Sequence, residues 1–163
     1  MKKATYTLLF LAFFLFIGKA SAQDYKSAVG LKFGGYENGI SGKVFVDNSI
    51  AYEALLGFRQ NGIVITGLYE INQEAFNVPA LKFYYGFGGH IGSVGQGTYR
   101  TFNGNDYTYT HPQLLLGGDA TVGLEYLIPA SPIAISLDLN PRIELASGPY
   151  FDIAPGLGLK YTF

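Results

Sequence analysis

The sequence predicts an all-β fold: an eight-stranded antiparallel up-and-down transmembrane β-barrel with a polar, salt-bridged interior. Three observations lead to this prediction. Apolar and polar residues alternate in a series of short runs after residue 24, which places them on opposite faces of strands. The charged residues of these runs share one face. Beyond the first 22 residues, no segment has the length and apolarity of a membrane-spanning helix.

The alternating runs are separated by turn signals such as Glu37-Asn38-Gly39 and Gln60-Asn61-Gly62. The last run is the clearest, because every second residue from Phe151 to Phe163 is bulky or apolar and the residues between them are small or charged. The pattern predicts eight strands, at residues 25–34, 40–46, 50–59, 63–71, 81–92, 118–128, 133–144 and 151–163.

One face of the predicted strands is apolar, and the other carries the strand charges. The basic members are Lys26, Lys32, Lys43, Arg59, Lys82, Arg142 and Lys160, and the acidic members are Glu53, Glu70, Asp119, Glu125, Asp138, Glu144 and Asp152. Turned inward, seven positive and seven negative side chains can pair with each other. We expect an interior charge network of Lys32, Lys43, Glu53, Arg59, Glu70, Lys82, Glu125, Asp138, Arg142 and Lys160. A functional proton or ion path through the interior is the alternative.

Alternation alone does not say which face is inside, and a soluble lipocalin-type barrel would turn the apolar face inward. Glycines interleaved with charges favour a polar interior, because large and small side chains together fill a narrow barrel. The chain also has no Trp, whereas lipocalins usually carry an N-terminal Gly-x-Trp. Aromatic residues near strand ends are typical of membrane barrels. They predict one rim with Tyr25, Tyr52, Tyr69, Phe83, Tyr126 and Phe163, and another with Phe33, Phe58, Phe87 and Phe151.

The first 22 residues have the pattern of a secretory signal peptide. Lys2 and Lys3 precede an apolar run at 8–18, and Ala20-Ser21-Ala22 supplies a small-residue cleavage site. We therefore expect a signal peptide at 1–22 and a single barrel domain at 23–163; an uncleaved anchor helix is the alternative.

Composition excludes several classes of function. The chain has no Cys, which rules out disulfides, thiolate metal sites and a lipid anchor on cysteine. Removing Lys2, Lys3 and Lys19 with the signal peptide leaves 8 basic against 12 acidic residues, a net charge of −4. That balance argues against nucleic acid as a partner. Neither a cofactor nor a metal site is expected.

Three segments resemble the small eight-stranded OmpX/OmpA-type outer-membrane barrels, particularly the barrel-only versions of Bacteroides-related bacteria. They are Gly123-Leu124-Glu125-Tyr126, residues 132–141 and the terminal Lys160-Tyr161-Thr162-Phe163. The resemblance implies a monomer in the outer membrane of a Gram-negative bacterium, exported through the periplasm and surrounded by outer-membrane lipid. It also implies that Phe163 is part of the assembly signal read by the barrel-insertion machinery.

The same resemblance places both termini in the periplasm. The connections at 35–39, 60–62, 93–117 and 145–150 are then extracellular, and those at 47–49, 72–80 and 129–132 are periplasmic. The longest connection alternates around Asn103-Gly104, which predicts a protruding hairpin. Aromatic residues beside an arginine are good interface anchors. They suggest a contact surface for a surface protein or glycan, formed by Tyr99, Arg100, Phe102, Tyr107 and Tyr109; a loop that shields the barrel mouth is the alternative.

The case for catalysis depends on two histidines, His90 and His111. His90 falls on the inward face, where a structural role beside a charge is expected, and no local spacing shows a Ser-His-acid set. We therefore predict no catalytic residues. The expected function is a non-enzymatic integral outer-membrane barrel with an envelope-structural or surface-interaction role through its extracellular loops. The alternatives are a lipid A-modifying enzyme and a small ion-conducting channel.

Overall fold

The structure is a computed structural model that describes residues 25–59, 61–100, 102, 104, 106–147 and 150–163, without the side chain of Arg100. The predicted signal peptide at 1–22 lies outside the described residues, as does the Asn103 half of the predicted Asn103-Gly104 turn. No helix of the length and apolarity needed to cross a bilayer occurs within the described part of the chain.

The described residues form ten strands. They are β1 Ser27–Gly34, β2 Asn38–Phe45, β3 Ile50–Arg59, β4 Gly62–Ala75, β5 Val78–Val94, β6 Gly97–Arg100, β7 Asp106–Tyr109, β8 Gln113–Leu127, β9 Ile133–Glu144 and β10 Tyr150–Thr162. Eight of them close into an antiparallel barrel in the order β1-β10-β9-β8-β5-β4-β3-β2, and β6 pairs only with β7. The predicted all-β, eight-stranded antiparallel barrel is confirmed.

The barrel closes between the first and last strands. β1 pairs with β10 from Ala28↔Thr162 to Gly34↔Gly156, while its other edge pairs with β2. Closure leaves no barrel strand with an unpaired edge along its main length. That is the condition for a sheet to cross hydrocarbon, because unpaired backbone groups are costly there.

The connection predicted at 72–80 is wrong. β4 runs on to Ala75 and β5 begins at Val78, so only Phe76 and Asn77 form the turn. Both have positive φ, 55° and 56°, as a two-residue type I′ turn requires. The alternation weakens there because this end of the hairpin extends past the start of β3, which pairs only as far as Ile71. Similarly, β8 begins at Gln113 rather than at residue 118.

The apolar face of the wall points outward and the charged face inward. Leu137 and Phe87, for example, are 63% and 66% exposed, whereas Lys43 and Glu70 are wholly buried. The end of the barrel where β1 begins and β10 ends is called the terminal end. The opposite end, which carries β6 and β7, is called the hairpin end. The polar, salt-bridged interior that the sequence predicts is confirmed.

Two aromatic assignments need correction. Tyr25 does not lie on the outer rim: it is 7% exposed and its hydroxyl donates to Glu125 inside the barrel, while Lys26 is exposed. The reason is that β1 starts only at Ser27, so alternation does not fix the two residues before it. Phe87 does not stand apart at the far rim either, because its ring lies 5.6 Å from that of Tyr69.

Candidate functional site

The first polar cluster of the interior, the terminal-end network, consists of Lys43, Glu53, Glu70, Glu125 and Lys160. Nζ of Lys160 lies 3.0 Å from Glu53 and 3.3 Å from Glu125. Nζ of Lys43 lies 3.0 Å from Glu70 and 3.6 Å from Glu125. All five come from barrel strands and are almost wholly buried. Two ammonium groups thus face three carboxylates, and each of the five residues comes from a different strand.

An apolar cluster closes the terminal end below this network. It is formed by Tyr25, Ala28, Leu127 and Ala134, with Phe45 packed against it. The predicted network member Lys82 reaches this cluster from β5, where it lies opposite Glu125. Its Nζ sits 4.8 Å from the ring centre of Phe45 and 5.7 Å from that of Tyr25. Such cation–π contacts hold an ammonium group at the polar boundary of an aromatic cluster.

A middle group joins the two halves of the interior. Nζ of Lys32 lies 3.3 Å from Asp138, which also accepts from the hydroxyl of Tyr84 at 2.6 Å and from Asn140 at 2.5 Å. Tyr84 is completely buried, and a methyl group added at Gly123 would lie 2.9 Å from its ring. The sequence reasoning missed Tyr84, although it shares the inward phase of β5 with Lys82 and His90.

The second polar cluster, the hairpin-end network, consists of Glu37, Arg59, His90, Asp119, Arg142 and Glu144. Arg142 is its centre: Nε donates to Asp119 at 2.5 Å, and the two terminal nitrogens donate to Glu37 at 3.1 and 2.9 Å. Nε of Arg59 lies 3.1 Å from the same Glu37 carboxylate. A bidentate guanidinium–carboxylate pair fixes both distance and orientation. The predicted Arg59 and Arg142 are therefore brought together through one glutamate.

Glu37 is not a strand residue, and the sequence reasoning missed it. It lies in the 35–37 connection between β1 and β2, yet it is buried because the connection folds into the barrel mouth. Its side chain occupies the space above Gly57, where an added methyl group would lie 2.3 Å from its Cγ. Only a glycine on β3 leaves room for it.

Tyr36 lies beside Glu37 and supports the same network. Its ring stands 4.6 Å from the guanidinium carbon of Arg142, and its hydroxyl donates to the backbone carbonyl of Asn140 at 3.0 Å. Burial raises the pKa of the Tyr36 hydroxyl well above its ordinary value, with the nearby carboxylate of Asp152 as the next cause. Tyr36 thus remains a hydrogen-bond donor at any physiological pH.

His90 lies on the inward face of β5, between two carboxylates. Its Nδ1 is 2.7 Å from Asp119, and its Nε2 is 3.0 Å from Glu144. Because both ring nitrogens already face carboxylates, neither is placed to activate a hydroxyl nucleophile. His111 lies beyond the barrel, next to the hydroxyl of Thr110 at 3.0 Å.

The hairpin formed by β6 and β7 folds against the barrel mouth. Tyr99 and Tyr109 pack on a buried apolar cluster of Val64, Val94 and Leu115, which closes the hairpin end. The Tyr99 hydroxyl donates to the carbonyl of Gly95 at 2.9 Å, and that of Tyr109 lies 3.1 Å from the Ser147 hydroxyl.

The remaining members of the predicted contact surface are placed differently. Tyr107 stacks on Tyr150 with ring centres 4.3 Å apart. Phe102 is 65% exposed, while its backbone amide donates to Asp152 at 2.9 Å. Arg100 ends β6 opposite Asp106. The tyrosines of the surface therefore anchor the hairpin, and Phe102 is the aromatic side chain that projects from it.

The barrel interior contains a small cavity. A cavity of about 30 Å³ lies between the middle group and the hairpin-end network, lined by residues such as Lys32, Tyr36 and Arg142. That is enough room for at least one water molecule. Within the described residues, no group of three or more His, Asp or Glu side chains is arranged to hold a metal ion.

Phe163 lies at the terminal end with its side chain exposed on the outer face. Its backbone amide donates to Ser27 at 2.8 Å, its carbonyl accepts from Lys26 at 3.0 Å, and its ring lies 5.0 Å from that of Tyr161. Phe163 is therefore held in the barrel seam with its side chain on the outer face. Its part in an assembly signal stays a prediction.

Comparison with solved structures places this architecture beside known barrels. The chain is similar in fold to the N-terminal β-barrel domain of OprF from Pseudomonas aeruginosa, at 15% identity and a TM-score of 0.57, over 85% of this chain and all of that one. Neisserial surface protein A matches at 11% identity and a TM-score of 0.49, over 84% of this chain and 94% of that one. No protein-family model and no curated protein sequence matches. The likeness to OprF supports a shared small-barrel fold.

Proposed function

We propose that this chain is a non-enzymatic integral barrel of the Gram-negative outer membrane, with an envelope-structural or surface-interaction role through its hairpin-end loops. The observation that carries the proposal is the division of the wall into two faces. Exposed aliphatic and aromatic side chains cover the outside, and paired charges fill the inside. A soluble barrel with this outer face would expose far more contiguous apolar surface than soluble monomers tolerate.

The closed interior favours a structural role over conduction or catalysis. Apolar clusters lie at both ends, around Tyr25 and around Leu115, and the charges between them are paired with one another. An ion path would have to break buried pairs, at a cost of several kcal/mol. A lipid A-modifying enzyme would need an activated nucleophile, and both ring nitrogens of His90 are occupied by carboxylates.

The proposed surface role rests on the hairpin. Its tyrosines fix it to the barrel, which leaves Phe102 projecting at the tip. An exposed aromatic side chain is a good anchor for a surface protein or a glycan. The other proposed partners are outer-membrane lipid around the wall and the insertion machinery that would read Phe163 during assembly. We propose that the barrel is a monomer, exported as the Bacteroides-related resemblance implies.

The membrane proposal is tested by fractionation and by gel mobility before and after heating. We expect the protein in the outer-membrane fraction and a shift in mobility on boiling, because a closed barrel resists SDS until heated. A soluble protein without such a shift would refute the membrane barrel.

The orientation is tested with single cysteines, for which this cysteine-free chain is well suited. Phe102→Cys lies at the hairpin end. Phe76→Cys lies in the turn at the terminal end, at a residue that is 82% exposed. A membrane-impermeant maleimide added to intact cells should label only Phe102→Cys, and permeabilised cells should be labelled at both. Labelling of Phe76→Cys on intact cells would reverse the proposed orientation.

The role itself is tested with purified protein. Wild type and Phe102→Ser are compared on an array of glycans, and the wild type is also recorded in planar bilayers and incubated with lipid A. Binding that Phe102→Ser loses would support the surface role. A steady ion-selective conductance, or lipid A turnover that is lost in His90→Ala, would instead support the channel or the enzyme.

A further inference from the structure

The hairpin-end network contains a group whose hydrogen bonds do not balance without an added proton. His90 lies 2.7 Å from Asp119 through Nδ1 and 3.0 Å from Glu144 through Nε2, and all three side chains are buried. A neutral imidazole carries one N–H, and an ionised carboxylate only accepts. Two such contacts need two protons between the ring and the acids. One of them is present in the neutral ring, so the group binds one more.

The surroundings of this group are rich in acid. The charged and titratable groups that face it are Asp119 on β8, Arg142 and Glu144 on β9, Arg59 on β3, Asp152 on β10, and Tyr36 and Glu37 in the 35–37 connection. From β4 it is faced by the uncharged Thr66, which accepts from Arg142 at 3.2 Å. Of these four carboxylates, Glu37 and Asp119 contact guanidinium groups. An added proton lowers the negative charge of the His90, Asp119 and Glu144 group by one.

The proton is coupled to the chain outside the barrel through Glu144. One carboxylate oxygen of Glu144 faces His90, and the other accepts from the backbone amides of Leu116 at 2.9 Å and Ala146 at 3.3 Å. Ala146 lies in the connection after β9. The next residue, Ser147, contacts the hydroxyl of Tyr109 on the hairpin. A displacement of Glu144 would therefore act on the connection after β9 and, through Ser147, on the hairpin.

We propose that His90, Asp119 and Glu144 together bind one exchangeable proton, and that its release frees Glu144 and loosens the connection after β9. When the proton leaves for water, a ring nitrogen lone pair faces a carboxylate oxygen about 3 Å away, and this contact becomes repulsive. Asp119 remains held by Arg142. Glu144 has no guanidinium partner among the described contacts, so it is the side that moves.

The test uses the full barrel, labelled with ¹⁵N, in detergent micelles. The ring nitrogens of His90 and the backbone amides of Leu116 and Ala146 are followed from pH 5 to the highest pH at which the barrel stays folded. At low pH we expect two protons in the group, on both ring nitrogens or on one ring nitrogen and a carboxyl. As one leaves, the two amides should shift with the same midpoint. The Ala146 amide also donates to the carbonyl of Leu116 at 3.3 Å, so its exchange, corrected for intrinsic pH dependence, should accelerate by up to about tenfold, the upper limit being the loss of one charge-assisted hydrogen bond.

Two variants test whether the shifts of the two amides depend on the proton bound at His90. His90→Gln offers one amide group that does not titrate, so the shared step at Leu116 and Ala146 should vanish. His111→Gln removes the other histidine and should leave the step intact. The wild-type comparison of midpoints stands alone if His90→Gln does not fold.

Three outcomes would overturn the proposal. If the group holds a single proton at low pH, it does not bind the additional proton that we propose. If His90 titrates while the chemical shifts of the Leu116 and Ala146 amides stay constant, the proton is not coupled to the connection after β9. A group that keeps both protons throughout would retain the binding site and exclude the release.

Discussion

The two charge networks of the interior differ in which parts of the fold supply their residues. The terminal-end network takes all five of its members from barrel strands, and Lys160 and Glu53 are held there by the backbone ladder. The hairpin-end network is centred on Arg142 but depends on Glu37, which comes from a connection. The first network is fixed by the sheet, whereas part of the second can move without unfolding the barrel.

This difference predicts unequal responses to the loss of one partner. A strand carboxylate that loses its cation stays buried, because moving it would break the ladder. A connection carboxylate can turn out toward water and recover its hydration. Removing one partner of a buried ion pair is costly chiefly because the other charge is left uncompensated. The cost should therefore be greater at the terminal end.

The largest effect is expected for Lys160→Met. Its ammonium group is the shared partner of Glu53 and Glu125, so its removal leaves three carboxylates around Lys43. We expect a loss of about 3–5 kcal/mol in the free energy of unfolding, measured by urea titration in detergent. Lys26→Met, at an exposed lysine, is the matched control and should stay within about 0.5 kcal/mol of wild type. Equal losses in the two variants would show that the network adds nothing to stability.

A smaller loss is expected for Arg142→Met in the hairpin-end network. Glu37 then keeps its pair with Arg59, and Asp119 keeps its contact with His90, so neither carboxylate is left without a partner. We expect about 2–3 kcal/mol in the same titration, because buried groups lose charged hydrogen bonds but one of them can be rehydrated. Amide exchange in the 35–37 connection should accelerate in this variant and not in Lys160→Met. A loss larger than that of Lys160→Met would reverse the comparison of the two ends.

Two adjacent glycines on β8 test how tightly the wall encloses the hairpin-end network. A methyl group at Gly117 would lie 2.0 Å from the carbonyl oxygen of Ile143 and 2.7 Å from the His90 ring, whereas one at Gly118 would meet no atom within 4 Å. Gly117→Ala should lose about 1–3 kcal/mol on urea unfolding. Gly118→Ala, the matched control on the outer face, should be close to neutral. A neutral Gly117→Ala would mean that β9 moves away from the added methyl group easily.

The sequence was sufficient for the terminal-end network because strand alternation determines the inward face. Lys43, Glu53 and Glu70 follow directly from the period of two. Alternation has no meaning in a connection, and for that reason Glu37 was missed. The same limit explains Tyr25, which precedes the first residue of β1 and turns inward to Glu125.

The anchoring of the hairpin also lay beyond the sequence pattern. The alternation around Asn103-Gly104 predicted paired strands, and β6 and β7 pair from Gly97↔Tyr109 to Arg100↔Asp106. It did not show that Tyr99 and Tyr109 would pack on Leu115, because that contact depends on where the hairpin tilts over the mouth. Side chains that share a face can be predicted locally, whereas contacts between separate sheets cannot.

The smallest effect is expected for Tyr36→Phe at the movable end. Its hydroxyl donates one hydrogen bond, to the carbonyl of Asn140, so we expect a loss of about 0.5–1.5 kcal/mol below pH 9. The pKa of Tyr36 is raised in the folded barrel by burial, so folding favours the protonated hydroxyl. That contribution is complete below the unfolded-state pKa of about 10 and declines as the pH rises above it. As the pH rises from 9 to 11, the free energy of unfolding should therefore fall less in Tyr36→Phe than in the wild type, measured by urea titration at each pH. Tyr52→Phe, at an exposed outer position, should keep the wild-type pH profile. The same flattening in Tyr52→Phe would assign the alkaline loss to tyrosines in general and not to the half-buried Tyr36 hydroxyl that donates to Asn140.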